Sequence, residues 1–285
     1  MFPRVHCAYE TLETNGVFVV PREMANTRCD DLPHPMPFDH FGVVTPTRRD
    51  ADPYLWVMKR ILEATEEDDV RKKAAGLLVQ AEQLRSTGYA QQARAAYTEA
   101  SMLYKEVEDR RGEAQVLRGL ADLERTLNHN DQARAAYTGA RMLYKEVEDR
   151  RGEAQVLRGL GELERVLDRH DQARAAYTEA RTLFKEVESR YGEATVLLGL
   201  GDLERMLSHD DQARAAYAKA RMLYKSVEDR RGEANVLLGL GRLEATLKHP
   251  ELARQHLFQS AGLFEAIGMS DWKEIALAEA KNLSR

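Results

Sequence analysis

The sequence has little of what usually announces a chemistry. Cysteine is nearly absent: Cys7 and Cys29 are the only two in 285 residues, and both precede the regular part of the chain. No disulfide framework therefore supports the fold. Proline is confined, with every copy except Pro250 falling in residues 1–53. Long apolar runs are missing too: none approaches the ~18 residues of a membrane helix, and no charged start leads into an apolar signal core. A cytoplasmic protein without membrane contact is expected. Charge of one sign is also lacking, since the net charge is -5 although 31% of residues are charged. That balance gives no basic field for nucleic acid.

Catalytic and metal signatures are equally sparse. No Ser/His/Asp or Cys/His arrangement appears, and carboxylate pairs on repetitive charged helices carry little weight. His6, Cys7, Cys29, His34 and His40 match no compact zinc knuckle. "GLG" would suggest phosphate binding only in a strand-to-helix loop, and here it falls inside a helical pattern. The expectation is a non-enzyme with neither metal nor cofactor.

What the sequence does have is repetition. "DQARAAY" occurs at residues 131–137, 171–177 and 211–217, with "QQARAAY" at 91–97. Tyr97, Tyr137, Tyr177 and Tyr217 share a 40-residue period, as do Leu120, Leu160, Leu200 and Leu240; Leu257 continues the tyrosine column. Such near-identity arises from recent duplication or from consensus design.

Each unit reads as two helices, A and B. In "RYGEATVLLGLGDLERML" the apolar residues Val196, Leu197, Leu200, Leu203 and Leu207 have helical spacing. Asp109, Asp149, Ser189 and Asp229 stand as N-caps before helix A, and Glu113, Glu153, Glu193 and Glu233 place negative charge in its first turn. Pro250 fits N1, so B helices are expected to start near 130, 170, 210 and 250. Their stripe includes Ala213, Ala216, Tyr217, Ala220 and Tyr224, small residues for close approach and rings for the core.

The expected organisation is a proline-rich irregular arm (1–52), a helix (53–69) capped by Asp52 with Pro53 at N1, a helical array (70–269) and a C-terminal capping helix (270–285). The array's units run at about 74–113, 114–153, 154–193, 194–233 and 234–269. Within the arm, residues 15–20, "NGVFVV", have the content of a short strand. Leu55, Met58, Ile61 and Leu62 give the 53–69 segment helical spacing. Since a two-helix unit cannot bury its stripe alone, stacked units need covered ends, and uncovered ends predict self-association.

Leu197, Leu200, Gly201, Ala213, Tyr217 and Ala220 follow L-x2-LG and then A-x3-Y-x2-A, which resembles the tetratricopeptide repeat. With "GEA" opening helix A and a period of 40 rather than 34, the units are similar to those of Pins/LGN-type adaptors, kinesin light chains and some bacterial peptide-sensing regulators. Leucine stands for the family's usual tryptophan, Glu204 for its tyrosine and Lys225 for a common proline. The resemblance implies an all-α, right-handed α-solenoid of about five helix pairs, with an A-helix groove that holds an extended peptide or partner helix.

Residues facing away from the A-helix stripe are the groove candidates. They are Gln115, Arg118, Asp122 and Arg125 in the second unit, and Gln155, Arg158, Glu162 and Arg165 in the third. The fourth offers Leu198, Asp202 and Arg205 beside Thr195, and the fifth Asn235, Leu238 and Arg242. Arginine at 118 and 158 gives way to leucine at 198 and 238, which suits an amphipathic peptide with an acidic end. An equal reading makes Arg118, Asp122 and Arg125 a set of surface ion pairs.

Gly119, Gly159, Gly199 and Gly239 each cost about 1 kcal/mol within a helix. Close packing between adjacent A helices, or approach of a ligand backbone, would justify them. His129, His209 and His249 recur at the turn between helices A and B, with Arg169 in the remaining copy. The functional expectation is a scaffold or adaptor that binds protein. Two alternatives are a regulator whose arm occupies the groove in cis, and a sensor attached to the remnant of an enzyme.

Overall fold

The computed structural model describes residues 52–283. The irregular arm, the strand at 15–20 and the candidate zinc residues lie outside that range. The chain divides into two units, residues 1–73 and 74–285, and the repeats form the second. Among the described residues there are eleven helices and no strand. They are α1 (Asp52–Ser86), α2 (Ala90–Glu106), α3 (Arg110–Thr126), α4 (Asn130–Glu146), α5 (Arg150–Val166), α6 (His170–Glu186), α7 (Arg190–Met206), α8 (Asp210–Ser226), α9 (Arg230–Thr246), α10 (Pro250–Ala266) and α11 (Ser270–Asn282). The odd-numbered helices from α3 to α9 are the A helices; α2 to α10 are the B helices.

The helix expected at 53–69 does not stop there. No glycine or proline stands between Tyr54 and Ala75, so nothing breaks α1 before Ser86, and its last part serves as helix A of the first unit. The B helices begin at Asn130, His170, Asp210 and Pro250, as the proline placed them.

Three-residue connections join all the helices of the stack. Each has one residue in the left-handed region, from Gly88 through Asn128 and Glu148 to Gly268. At the end of α3, His129 N–H reaches the Glu124 carbonyl (2.9 Å) and Asn128 N–H that of Arg125 (3.1 Å). This Schellman pattern recurs along the chain and satisfies carbonyls that the helix end would leave unpaired. Helix A starts are capped as expected: Asp109, Asp149, Ser189 and Asp229 accept from the N–H groups of Gly112, Gly152, Gly192 and Gly232.

The stack is built ring by ring. Tyr97, Tyr137, Tyr177 and Tyr217 are completely buried, each between the A helix before it and the A helix after it. A Cβ at Gly159 would fall 2.6 Å from the Tyr137 ring, and one at Gly199 2.9 Å from that of Tyr177. Gly119 and Gly239 lie the same way against Tyr97 and Tyr217. These glycines therefore make room for a B-helix ring. Neither contact between adjacent A helices nor a ligand backbone accounts for them.

The arginine of the seven-letter motif joins neighbouring units. Arg94, Arg134, Arg174 and Arg214 reach across to Glu124, Glu164, Glu204 and Glu244 of the next A helix at 2.6 to 3.0 Å. Each glutamate is nearly buried and takes a second partner from the turn. His129, His209 and His249 approach at 2.7, 2.7 and 2.8 Å; Arg169 takes that place beside Glu164 at 3.6 Å. The turn histidines are thus second partners of buried carboxylates, a role their surface position had not suggested.

The end helices of the second unit exchange apolar stripe residues for small or polar ones, although Val79 of α1 and Trp272 and Ile275 of α11 stay exposed. Gly76, Gln80 and Gln83 of α1, all exposed, stand where later A helices carry Val116, Leu120 and Leu123. At the other end Ala276 and Ala280 of α11 are buried against Leu238, Leu257 and Ala261. Its opposite side carries the exposed Glu274 and Lys281 where α9 has Ala234 and Gly241.

Candidate binding surface

Contact among the A helices identifies the inner side of the stack. Helix α3 touches α5, α5 touches α7 and α7 touches α9, while no two B helices meet comparably among the described residues. A helices therefore crowd together along one side and B helices spread along the other. On α3, α5, α7 and α9 the stripe at i, i+4, i+7, i+11 and i+14 runs along this inner side. The candidates Gln115, Gln155, Thr195 and Asn235, with Arg118, Arg158 and Leu198, are partly exposed on it. At its first end Leu78, Val79, Glu82, Gln83, Gln115 and Arg118 line an open cleft of about 390 Å³.

Leu238 does not belong to the lining. It is only 3% exposed because α11 covers it, with Ala276 and Ala280 packed in the same cluster. Arg242 is drawn to that helix as well: its guanidinium bonds Glu279 at 2.7 Å, which holds its pKa above the ordinary value. The fifth unit contributes Asn235 alone from its expected set.

Most of the lining charge is already neutralised in place. Arg85 bonds Glu82 at 2.6 Å and Arg165 bonds Glu162 at 2.8 Å. Arg118 stands 3.8 Å from Asp122, and Arg205 the same distance from Asp202. Of the ion pairs expected on α3, Arg118 with Asp122 forms, whereas among the described residues Arg125 makes no ion pair and its buried Nε has no hydrogen-bond partner. Hydroxyls from the buried ring column reach the same carboxylates: Tyr137 donates to Asp122, and Tyr217 to Asp202 at 2.7 Å. Burial raises the pKa of the Asp202 carboxyl, against the Tyr217 hydroxyl bond and the charge of Arg205. Burial opposes the Arg165 cation too, yet Glu162 keeps its pKa above the ordinary value.

Sequence reasoning missed the first position of the stripe, occupied by Arg111, Arg151, Tyr191 and Arg231. Tyr191 is 56% exposed and meets Tyr224 edge-on, with ring centroids 6.2 Å apart. The signal was available: it is a tyrosine where the other copies have arginine, four residues before Thr195. Among the described residues no group of His, Cys, Asp or Glu is arranged to hold a metal ion, and no helix is long and apolar enough to cross a membrane.

Stacked helix pairs with an inner row of A helices define an α-solenoid repeat protein. The particular repeat is the tetratricopeptide repeat: the family described by that name matches residues 152–226, within the stack. No curated protein matches the sequence. Among solved structures, BtubC (BKLC) from P. vanneervenii is 18% identical with a TM-score of 0.56, over 79% of this chain and 85% of that one. A Rap protein complexed with Competence and Sporulation Factor is 17% identical with a TM-score of 0.58, over 81% and 70%. The STAND protein PH0952 from Pyrococcus horikoshii, with a tetratricopeptide repeat sensor, is 17% identical with a TM-score of 0.61. The match covers 80% of this chain but only 34% of PH0952. At these identities the likeness is one of fold.

Proposed function

We propose that this protein is a non-catalytic binding module that takes a peptide or a partner helix along its inner surface. The observation that supports the reading is the contact among A helices, whose inner stripe changes from unit to unit; the turns and B helices change as well, as at Asn128, His129, Gly139 and Met142. Letters that build the stack repeat; Gln155, Arg158, Tyr191, Thr195, Leu198 and Asn235 do not repeat unchanged, and each is at least partly exposed. Polar residues dominate toward α3, and Tyr191 and Leu198 make the surface more apolar toward α7, which suits an amphipathic ligand with an acidic part. The Rap protein complexed with Competence and Sporulation Factor is a precedent for ligand binding on this fold.

Site-specific photocrosslinking tests the reading. A benzophenone side chain at Gln155 or Thr195 is expected to capture a partner, whereas one at Met142 or Met222, exposed on B helices, is expected to capture none. Capture from the B-helix positions alone would move the site to the other side of the stack. Crosslinks from Thr195 to residues 1–50 of the same chain would identify the arm as occupant in cis.

A further inference from the structure

One stretch departs from the repeat at several positions with a common consequence. Residues 144–160 read "YKEVEDRRGEAQVLRGL", and residues 184–200 read "FKEVESRYGEATVLLGL". In the earlier copy the lining arginines are supplied with partners. Arg111 pairs with Asp149 at 2.9 Å. Arg118 stands 3.8 Å from Asp122 and acts on the Tyr144 hydroxyl, whose pKa burial raises and Arg118 lowers.

One unit later two of those partners are absent and the third is engaged elsewhere. Ser189 takes the place of Asp149, so Arg151 meets no carboxylate there. Phe184 takes the place of Tyr144 and has no hydroxyl to offer Arg158, whose charge reaches the Tyr224 hydroxyl without a hydrogen bond to it. Glu162, the acid one turn along from Arg158, is already held by Arg165 through two bonds of 2.8 and 3.2 Å. Arg151 and Arg158 consequently form no ion pair and no hydrogen bond among the described residues, although guanidinium groups are ordinarily paired where an acid is within reach. They lie two turns apart on one face of α5, about 10 Å along the axis. Arg231 also lacks an acid, because Met269 stands where Asp149 would be, but the residue seven positions on is the buried Leu238. Among the described residues, α5 alone presents two such cations on its inner stripe.

The neighbouring A helix completes the site. Tyr191 and Leu198 on α7 hold the positions next to Arg151 and Arg158, one unit along, and packed helices stand about 8–10 Å apart. Tyr224, edge-on to Tyr191, backs the exposed ring. A pair of unmatched cations thus faces an exposed aromatic ring and a partly exposed leucine.

We infer that the junction of α5 and α7 anchors an oxyanion-bearing side chain of a bound peptide, gripped by Arg151 and Arg158, with an adjacent apolar residue on Tyr191 and Leu198. The anchor rests on the inner-surface reading proposed above and assigns it a position and a chemistry. A side-chain carboxylate and a phosphorylated side chain share that chemistry.

The test uses the full chain. A random dodecapeptide library is panned against the immobilised protein, and an enriched peptide is synthesised with its acidic residue retained, replaced by phosphoserine, or replaced by glutamine. The wild-type chain is expected to bind an anionic version roughly tenfold more tightly than the glutamine version, with a gap that narrows as salt rises. The better of the carboxylate and phosphoserine versions identifies the source of the oxyanion. In Arg151→Gln/Arg158→Gln the gap is expected to close to about twofold, and in Phe184→Tyr/Ser189→Asp, which returns the missing partners, to narrow with both arginines present. Lys219→Gln, exposed on the B helix α8, should leave it intact.

Enriched peptides without an acidic position, or a gap that survives in the double glutamine variant, overturn the anchor while leaving inner-surface binding in place. Absence of any enriched peptide, together with crosslinks only from Met142 or Met222, overturns both.

Discussion

At the scale of single residues, glycines with the same helical cost have opposite consequences. Gly159 sits under the Tyr137 ring, and a Cβ there would intrude to 2.6 Å. Gly159→Ala should lower stability by about 1–3 kcal/mol, because overpacking outweighs the roughly 1 kcal/mol gained in helix propensity. Gly262, inside α10, has nothing within 4 Å of such a Cβ, so Gly262→Ala should raise stability by about 1 kcal/mol. Urea titration of the two variants checks both signs. The four glycines were visible in the sequence, but the ring each one admits lies on a helix whose register against it only the fold supplies.

The glutamates behind the motif arginine give a pH dependence with a definite sign. Arg174 holds the pKa of Glu204 below its ordinary value, against burial and with help from His209. Burial is the largest influence on Glu124 and Glu244 and acts to raise their pKa; bonds from Arg94 and Arg214 and from the turn histidines outweigh it, and both end below the ordinary value. A lowered folded-state pKa contributes stability that is complete above the unfolded value, near 4.5, and is lost as pH falls through the folded one. Arg174→Gln should therefore cost about 1–3 kcal/mol at neutral pH, since it strips a buried carboxylate of its main partner. As pH falls below 4.5 and through the lowered folded-state value, the variant and wild type should converge. Parallel stability curves down to pH 3 would show that this pair does not set the acid response.

At the scale of elements, the caps and turns explain why helix boundaries were legible and where they were not. Asp149 accepts from Gly152 N–H at 2.8 Å and also binds Arg111. Asp149→Ala should cost about 1 kcal/mol through the lost cap, seen as a lower thermal midpoint. Cap residues and Pro250 carry their meaning locally, so the starts of the A and B helices could be read one residue at a time. The end of the first helix could not, because no local signal separates residues 53–69 from Ala74–Ser86. The pairs that join units, such as Arg174 with Glu204, span 30 positions, and a single sequence shows neither their distance nor the buried state of the acid. Leu238 was misplaced for the same reason: its position on the stripe is right, and the helix that covers it arrives more than 30 residues later.

At the scale of the whole stack, stability is the sum of units and interfaces, and function falls to whatever the stack does not use. Ending the chain at Met269 would uncover Leu238, Leu257 and Ala261, which α11 now seals. The truncated chain is expected to self-associate as its concentration rises, and light scattering that stays at the monomer mass would count against the cap. The motif "DQARAAY" supplies the core ring, the close-packing alanines and the arginine that joins units. Binding is left to the changing residues on the A helices.

That division of labour is tested most directly by exchanging inner-face residues of one unit for those of another. A variant carrying Tyr191→Arg, Thr195→Gln and Leu198→Arg makes the inner face of α7 repeat that of α3. A companion carrying Met142→Gln and Met222→Gln changes only B-helix surface. The measurement is affinity for a peptide selected on the wild-type chain, with thermal midpoints recorded alongside. The account predicts at least a tenfold loss in the first variant, none in the second, and similar midpoints for both. Unchanged affinity in the first variant, or a loss confined to the second, would contradict it.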